Sequence, residues 1–401
     1  MRNKILIGIT AVLAVILLCA GIFHKKLRQV YGASTLFDAG VIDENFRSGD
    51  KTFPSQVVHR GGRVFEFKRR PVALPETYLF KGKAKNVQQF LDHTDTTGIV
   101  VIKDDTILFE KYYRGNTEKS RAISWSVAKS FVSALLGVAV HEGYIKDIHQ
   151  PITAYVPKLK GSGYEGVPIK DIMNMSSGIR FNEDYGDFFS DIQRMGRTIA
   201  FGTSLDNFVA SLKNEKKPGT FRHYVSADTQ SLGMLLRDST KKSITSLLEE
   251  KIWKKIGMES DAYWLVDGNG MEMAFGGLNA VLRDYARFGV LYLNNGRWGT
   301  EQVVPAEWVR ASVTPDAPHL MPGNNPALHT WTLGYGYQWW IPENPDGDFL
   351  AIGIYGQFIY IYPKYRIVIA KNSAYVDYNK DGDDMEIETI EMFRAMARQM
   401  K

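Results

Sequence analysis

A serine and a lysine three residues apart, at the start of a long apolar segment, constrain this chain more than any other feature. Ser126 and Lys129 are followed by residues 131–140, which are mostly apolar. Apolar residues on every side are typical of a buried helix. Residues i and i+3 share a helix face, so we expect the lysine amine to lie against the serine hydroxyl. A partly desolvated lysine can accept a serine's proton, which makes Ser126 a candidate nucleophile.

The same spacing occurs at two other places, where the context is different. Ser48 and Lys51 lie in a polar, turn-like patch, and Ser239 and Lys242 lie in a run where a helix cap and solvated charges explain them. Neither pair leads into an apolar helix. On the pattern alone, a plain helix cap with a surface lysine remains the alternative interpretation of Ser126.

A second segment carries the sequence Tyr-x-Ser just before a helical pattern. Tyr224 and Ser226 follow the turn at Pro218 and Gly219. With the Ser-x-x-Lys pair, this segment makes the chain resemble the penicillin-recognising serine hydrolases. These include class C β-lactamases, D-alanyl-D-alanine carboxypeptidases, related esterases and aminohexanoate-dimer hydrolases. The family order is Ser-x-x-Lys, then Tyr-x-Asn or Tyr-x-Ser after roughly a hundred residues, then a glycine-bearing strand near the C-terminus.

The resemblance runs from about residue 98 to residue 374. Several stretches are most similar to the aminohexanoate-dimer hydrolase branch of the family. These stretches are residues 123–137, 176–178, 274–280, 283–289 and 334–340.

The resemblance implies an α/β plus all-α architecture of the β-lactamase/transpeptidase type. An antiparallel sheet of chain-early and chain-late strands would be flanked by helices and interrupted by a helical insertion at about residues 144–270. The residues agree with this. Apolar runs predict an early hairpin over 99–101 and 107–113, late strands over 336–341, 349–353, 358–362 and 367–371, and a final helix from about 386 to 399.

The resemblance also implies a role for each candidate site residue. Ser126 would attack an amide or ester carbonyl, and Lys129 would accept or relay its proton. Tyr224, as phenol or phenolate, would deliver a proton to the leaving group, and Ser226 would orient the site. The backbone N–H groups of Ser126 and Ile354 would hold the oxyanion. Nothing in the sequence calls for a metal or an organic cofactor.

The third family motif is altered. Where relatives carry Lys-Thr-Gly or His-x-Gly, the sequence aligns Ala351-Ile352-Gly353, without a cation. Because that cation lies beside a substrate carboxylate in β-lactam-active relatives, its absence predicts small esters and uncharged or amine-bearing amides as substrates. A non-catalytic binding protein on the same fold is the competing hypothesis.

The N-terminus predicts a membrane anchor. The run Ile5–Phe23 has no charged residue and, at about 1.5 Å per residue, would extend for about 28 Å as a helix. We favour an anchor over residues 1–24 rather than a cleaved signal, because the residues around Cys19 make a poor cleavage site. Residues 25–86 are predicted as an irregular spacer and 87–401 as the hydrolase domain. From the resemblance, the catalytic domain is expected in the periplasm or otherwise outside the cytoplasm.

Several function classes are disfavoured. A net charge of +5, without an aromatic-interleaved basic stripe, does not suggest nucleic acid. The single cysteine, Cys19, cannot form an intrachain disulfide. There is no Gly-x-Ser-x-Gly and no zinc-type histidine spacing. His223, the histidine nearest the proposed chemistry, is predicted to face solvent.

Two further patterns leave alternatives open. The segment from Asp377 to Glu388 has the spacing of a calcium loop, but an acidic turn that caps the last helix also explains it. The aromatic residues between Tyr335 and Trp340 alternate, so one set belongs in the core and the other could line the cleft. The loop Phe181–Tyr185 is a second candidate cleft wall.

Overall fold

An eight-stranded sheet lies at the centre of the protein. The computed structural model describes residues 24–323, 332–343, 346–381 and 383–401. Chain-early strand Thr96–Lys103 pairs with chain-late strand Ile367–Ser373, as predicted, and all neighbours are antiparallel except the short parallel strand Lys68–Arg69. The strands lie in the order Gly334–Tyr335, Trp340–Ile341, Phe349–Gly353, Gln357–Tyr362, Ile367–Ser373, Thr96–Lys103, Thr106–Tyr112 and Lys68–Arg69.

Three smaller sheets complete the strands. A four-stranded sheet has the order Ser55–Val58, Ala262–Leu265, Leu278–Val281 and Arg121–Ile123. Two hairpins pair Thr77–Phe80 with Lys83–Asn86, and Arg297–Trp298 with Glu301–Gln302.

Helices surround these sheets. The α-helices are residues 24–34, Ile42–Arg47, Gly49–Thr52, Val87–His93, Ala128–His141, Ile169–Met173, Asp191–Phe201, Leu205–Ser211, Ser226–Thr240, Ile244–Leu248, Leu282–Leu293, Ala306–Ser312, Tyr378–Asp381 and Asp383–Gln399. Short 3-10 turns lie at Trp125–Val127, Ile152–Ala154, Pro157–Leu159, Pro318–Leu320 and Pro363–Tyr365, and a π-helical turn at Glu249–Trp253.

The two faces of the large sheet bury two separate apolar cores. Along Thr96–Lys103, Val100 and Ile102 belong to one core, with the helices Ala128–His141 and Leu282–Leu293. The alternate residues Ile99 and Val101 belong to the other, with Val87–His93 and Asp383–Gln399. This alternation follows from the two-residue period of a strand and explains why the central strands are apolar throughout.

The insertion at 144–270 is mainly helical, as predicted, but it ends in the strand Ala262–Leu265. Residues 25–86 differ from the expected irregular spacer. They contain helices, and the strand Ser55–Val58 pairs with Ala262–Leu265. Ile42 and Phe46, four residues apart on one helix face, are buried in the main core. This segment is therefore part of the folded domain.

The predicted anchor, Ile5–Phe23, lies outside the described residues. Among the residues that the structure describes, no helix has both the length and the apolar character needed to cross a bilayer.

Candidate active site

The candidate nucleophile lies in a tight turn that leads directly into a buried helix. Ser126 is the middle residue of the 3-10 turn Trp125–Val127, and the helix Ala128–His141 follows without a break. Trp125 has a φ of 44°, in a region that a non-glycine residue adopts only when its surroundings hold it there. The partly exposed Ser126 is thus held at the end of a rigid element.

Lys129 places its amine against this serine, as the spacing predicted. Its Nζ lies 2.9 Å from Ser126 Oγ, 3.1 Å from Ser226 Oγ and 2.8 Å from the carbonyl oxygen of Phe275. As an ammonium group, the lysine donates to all three oxygens. As a neutral amine it has two N–H bonds and one lone pair, so the Ser126 hydroxyl can donate to it instead. The geometry therefore suits proton transfer from Ser126 to Lys129.

Burial tunes this lysine for that transfer. Lys129 is 1% exposed, and desolvation lowers its pKa from 10.5 to about 7, because the apolar surroundings disfavour the charged form. The negative charge of Glu183 acts in the opposite direction and raises the pKa of Lys129. Near neutral pH the lysine therefore exists in both protonation states, as a group that takes up and returns a proton must.

Glu183 reaches the lysine through Ser226. The carboxylate accepts from the Ser226 hydroxyl at 2.5 Å and from the Ser226 backbone N–H at 2.9 Å. The Tyr185 hydroxyl donates to the same carboxylate at 2.7 Å. Ser226, at the start of the helix Ser226–Thr240, thus accepts from Lys129 and donates to Glu183. This position agrees with the orienting role expected for it.

Tyr224 lies on the other side of the lysine. Lys129 Nζ is 5.1 Å from the centre of its ring, and the ring stacks on Trp340 at 5.4 Å. Burial raises the pKa of Tyr224 well above its usual value of 10, and a hydrogen bond with Ser126 offsets this in part. Of the two forms considered from the sequence, phenol and phenolate, these surroundings favour the phenol. In that form Tyr224 has a proton that it can donate.

The strand Phe349–Gly353 passes beside the nucleophile turn. A Cβ atom at Gly353 would lie 2.4 Å from the Ser124 carbonyl oxygen and 3.1 Å from the Ser126 nitrogen, so only glycine fits this approach. Ile354, the next residue, lines the same cavity as Ser126. Both backbone segments expected to supply the oxyanion donors therefore meet at the serine.

A buried glutamine braces the turn that follows this strand. Gln357 Nε2 donates to the carbonyl oxygens of Tyr355 at 3.2 Å and Ser373 at 2.6 Å. Its Oε1 accepts from Asn372 at 2.9 Å. These bonds tie the turn that carries Ile354 to the neighbouring strand.

Two phenylalanines from the N-terminal segment pack against the residues next to both candidate oxyanion donors. Phe37 stacks on Tyr355 with ring centres 4.8 Å apart and lies 5.6 Å from Trp125. Phe46 packs edge-on against both rings at 5.5 Å. Tyr355, like Trp125, has a positive φ, of 61°. We call Phe37, Phe46, Trp125 and Tyr355 the aromatic clamp.

An apolar cavity of about 140 Å³ lies beside Ser126. The N-terminal segment supplies one wall, the helix Asp191–Phe201 a second, and Phe275 and Ile354 close it near the lysine. Two of its polar lining groups, Asn45 and Gln193, already donate to backbone carbonyl oxygens. The lining residues are Ala33, Leu36, Phe37, Asn45, Gly49, Phe53, Ile123, Trp125, Ser126, Tyr185, Ile192, Gln193, Gly196, Arg197, Ile199, Ala200, Ser226, Leu265, Met273, Phe275 and Ile354.

The structure separates the three Ser-x-x-Lys pairs as their contexts predicted. Ser48 and Ser239 donate to backbone carbonyl oxygens one helical turn earlier, at 2.7 Å in each case. Lys51 and Lys242 pair with glutamates. Neither lysine is hydrogen-bonded to its serine.

His223 and the two end carboxylates of the acidic segment, Asp377 and Glu388, bind partners outside the hydrogen bonds that join Ser126, Lys129 and Ser226. His223 was expected to face solvent, but it is half-buried, and its Nε2 donates to the Phe181 carbonyl oxygen at 2.8 Å. Asp377 pairs with Lys380 at 2.6 Å, and Glu388 pairs with Lys85 at 2.7 Å. The first and last carboxylates of the calcium-type spacing thus bind separate lysines.

The aromatic residues between Tyr335 and Trp340 do not divide by alternation, because residues 336–339 form a turn between the strands Gly334–Tyr335 and Trp340–Ile341 instead of part of the expected strand over 336–341. Tyr337 and Trp339 belong to the main core, whereas Tyr335 and Trp340 contact Tyr224. The loop Phe181–Tyr185 supplies Glu183 and Tyr185 to the site. The sequence indicated this loop as a cleft wall but did not single out its carboxylate.

Comparisons with known proteins agree with this fold. The family model described as Beta-lactamase matches residues 84–390. A 6-aminohexanoate-dimer hydrolase of Paenarthrobacter ureafaciens is 31% identical over 299 residues, which cover 73% of this chain and 76% of that protein.

Solved structures show the same fold. A "putative 6-aminohexanoate-dimer hydrolase" of Bacillus anthracis superposes with a TM-score of 0.82 at 24% identity, covering 91% of this chain and 96% of the other. An octameric penicillin-binding protein homologue of Pyrococcus abyssi gives a TM-score of 0.58 at 20% identity, covering 79% and 76% of the two chains.

The chain therefore belongs to the β-lactamase family. Its fold is of the β-lactamase/transpeptidase type, with antiparallel sheets flanked by helices, as the resemblance implied. Within that family it is a serine hydrolase similar to the aminohexanoate-dimer hydrolases.

Proposed function

We propose that this hydrolase cleaves amide or ester bonds of small substrates through an acyl-enzyme on Ser126. One observation carries the proposal: the amine of Lys129 lies 2.9 Å from Ser126 Oγ and has a pKa lowered to about 7. A serine with a neutral amine at this distance has a base for its proton and needs no histidine.

In the acylation step, Ser126 Oγ bonds to the substrate carbonyl carbon while its proton passes to Lys129. The carbonyl oxygen becomes an oxyanion, which the backbone N–H groups of Ser126 and Ile354 would stabilise. The bond to the leaving group then breaks as Tyr224 gives its proton to the departing nitrogen or oxygen. Lys129 returns a proton to Tyr224, so the acyl-enzyme forms with both groups neutral.

Deacylation runs through the same groups in reverse. Water takes the position of the leaving group, and its oxygen bonds to the acyl carbon as its proton passes to Lys129, either directly or through Tyr224, which then gives its own proton to the lysine. The ester bond to Ser126 breaks, and the serine oxygen recovers a proton. The Glu183–Ser226 hydrogen bonds hold the lysine in place during both steps.

The cavity favours an uncharged, apolar group on the substrate. A dry apolar cavity of about 150 Å³ holds a molecule of benzene size, so the cavity beside Ser126 accommodates a group of about six carbon atoms. The strand Phe349–Gly353 carries only apolar residues and glycine, and an unpaired carboxylate buried against it would be costly. We therefore expect short acyl esters and linear amides to react faster than β-lactams, with a chromogenic cephalosporin and a short ester as the comparison.

The proposed location is a membrane, with the catalytic domain outside the cytoplasm. Support comes from the uncharged run Ile5–Phe23 and from the resemblance to enzymes that act there. Flotation of the full chain with lipid vesicles, before and after carbonate extraction, tests the tether.

Labelling and turnover of the full chain test the hydrolase. We expect a p-nitrophenyl acyl ester to be hydrolysed and a fluorophosphonate probe to label Ser126. Ser126→Ala should abolish both, whereas the matched variant Ser239→Ala should keep both near wild type. Absence of turnover and labelling in the wild type would support a non-catalytic binding protein on the same fold. Labelling that persists in Ser126→Ala would mean that the nucleophile is another residue.

A further inference from the structure

Five large apolar side chains are exposed on the two helices that form walls of the cavity and on the loop between Asp187 and Ser190. They are Leu27, Tyr31, Phe188, Phe189 and Phe201, which are 61%, 71%, 64%, 79% and 49% exposed. Leu27 and Tyr31 lie four residues apart, on one face of the helix 24–34. Isolated exposed apolar residues are common, but a group of large ones marks an interaction surface.

Contacts join these residues into one region. Gln29 donates to the carbonyl oxygen of Ile199 at 2.5 Å, which brings the helix 24–34 against the end of the helix Asp191–Phe201. The guanidinium of Arg197 lies 4.2 Å from the ring centre of Phe188. Phe188 and Phe189 contact each other edge-on at 5.2 Å. The exposed side chains therefore surround a single helix pair.

The same region is positively charged. The helix 24–34 carries Lys25, Lys26 and Arg28 and no acidic residue. On the second helix, Arg194 pairs with Asp191 at 2.8 Å. Next to the phenylalanines, Asp187 accepts the backbone N–H of Phe189. Residues 187–201 carry two arginines and two aspartates, so their charges balance, and the three cations of the first helix give the surface its net charge.

We propose that this surface, formed by Leu27, Tyr31, Phe188, Phe189 and Phe201, docks on an anionic lipid bilayer. The inference rests on the membrane tether of the proposed function. In addition to the tether, the docking holds the helices 24–34 and Asp191–Phe201 against the bilayer, so the catalytic domain does not move freely on a linker. Aromatic residues with flanking lysines and arginines are the side chains that favour a membrane interface.

The position of the helix in the chain supports a bilayer as the partner. The uncharged run ends at Phe23, and the described helix begins at His24. At about 1.5 Å per residue, Leu27 lies about 5 Å and Tyr31 about 10 Å along the axis from His24. The headgroup layer of one leaflet is about 5–8 Å thick. If the run spans the hydrocarbon layer, Leu27 starts within the headgroups and Tyr31 starts just outside them.

Charge argues against a second copy of the chain as the partner. A two-fold dimer through this surface would place the same patch against itself. The cations Lys25, Lys26 and Arg28 of both copies would then face each other without acidic partners from this helix. An anionic bilayer brings the opposite charge.

Depth-dependent quenching tests the docking in the full chain. In a Cys19→Ala background, Phe189→Cys and, as a control, Leu79→Cys each provide one site for an NBD label. Leu79 is 68% exposed, on a hairpin packed against the C-terminal helix. The chain is reconstituted in vesicles of phosphatidylcholine and phosphatidylglycerol with and without doxyl-labelled lipid. We expect a blue shift and strong quenching at position 189 and neither at position 79.

Other outcomes would overturn the proposal. If the chain floats with the vesicles but the label at 189 is not quenched, the tether stands and docking is wrong. If the chain does not float, both are wrong. A blue shift at 189 that grows with protein concentration, without lipid quenching, would identify a second copy as the partner.

Activity gives an independent test. The double variant Phe188→Ser/Phe189→Ser should hydrolyse a water-soluble p-nitrophenyl ester like wild type but lose most turnover of an acyl ester embedded in vesicles. Leu79→Ser should affect neither. Equal turnover of the embedded ester by wild type and the double variant would contradict docking. Quenching needs no turnover, so a wild type that fails on the soluble ester counts against the hydrolase alone.

Discussion

Replacing Glu183 by glutamine should move the acidic limb of the pH–rate profile to lower pH. Lys129 must be neutral to accept the proton of Ser126, so kcat/KM should fall as pH drops through the lysine's pKa of about 7. The charge of Glu183 raises that pKa. Its removal favours the neutral amine, and the variant should keep activity at a pH where the wild type loses it.

The structure bounds the size of this effect. With a pKa of about 7, about one lysine in ten is neutral at pH 6 and nine in ten at pH 8. The wild type should therefore be about tenfold slower at pH 6 than at pH 8. Ser226 Oγ lies 2.5 Å from Glu183 Oε1 and 3.1 Å from Lys129 Nζ, so the carboxylate oxygen is no more than 5.6 Å from the amine. At an effective dielectric constant of about 20, this distance corresponds to about 3 kcal/mol, more than the 1.4 kcal/mol of a tenfold change.

The assay is kcat/KM for a neutral short-chain ester between pH 5 and 9. In Glu183→Gln, the activity at pH 6 divided by the activity at pH 8 should rise from about one tenth toward one, whatever the change in maximal rate. Asp184→Asn is the matched control, because Asp184 is exposed in the same loop and its carboxylate accepts the backbone N–H of Gly186. An acidic limb that stays in place, or moves to higher pH, would refute the electrostatic coupling of Glu183 to Lys129.

Three further predictions test other parts of the site. Lys129→Ala and Tyr224→Phe should each reduce kcat by orders of magnitude, and the double variant should lose little more activity than the worse single variant. If the losses in activation free energy instead add, the two residues act independently. Phe37→Ala should lower kcat more than KM for a one-carbon acyl ester, because it loosens both oxyanion segments; a change in KM alone would restrict Phe37 to substrate binding. Burial lowers the pKa of Lys371 to about 7, so between pH 7 and 10 this lysine is less protonated in the folded chain than in the unfolded chain. The free energy of unfolding should therefore rise with pH in that window, by up to about 1.4 kcal/mol per pH unit from this residue. Calorimetry of Lys371→Met should show a shallower rise, and an equal rise would contradict this.

The parts of the site that depend on local spacing could be predicted from the sequence. Ser126 and Lys129 are three residues apart, so helix geometry alone brings them together. The apolar runs of the late strands, aligned with the third family motif, likewise located the segment that passes beside the serine. The partners of the lysine were harder to predict. Glu183 reaches it only through Ser226, and 43 residues separate these two, a distance over which no residue pattern reports a contact.

The N-terminal segment shows why the remaining parts could not be predicted. Its glycines and prolines suggested an irregular spacer, yet its strand Ser55–Val58 pairs with residues more than two hundred positions away. Ile42 and Phe46 have helical spacing, but nothing local identifies the core they enter. Long-range pairing decided the role of this segment, and a single sequence shows that only indirectly.

The aromatic clamp connects this segment to catalysis. Trp125 and Tyr355 flank the two candidate oxyanion donors, and both have positive φ values, which costs each of them about 1–3 kcal/mol. Such conformations persist only where packing holds them. Phe37 and Phe46 provide that packing. Both precede residue 84, where the family match begins. The oxyanion segments should therefore keep their geometry only while the N-terminal segment stays folded against them, so a chain shortened beyond Phe37 should lose turnover before it loses the central sheet.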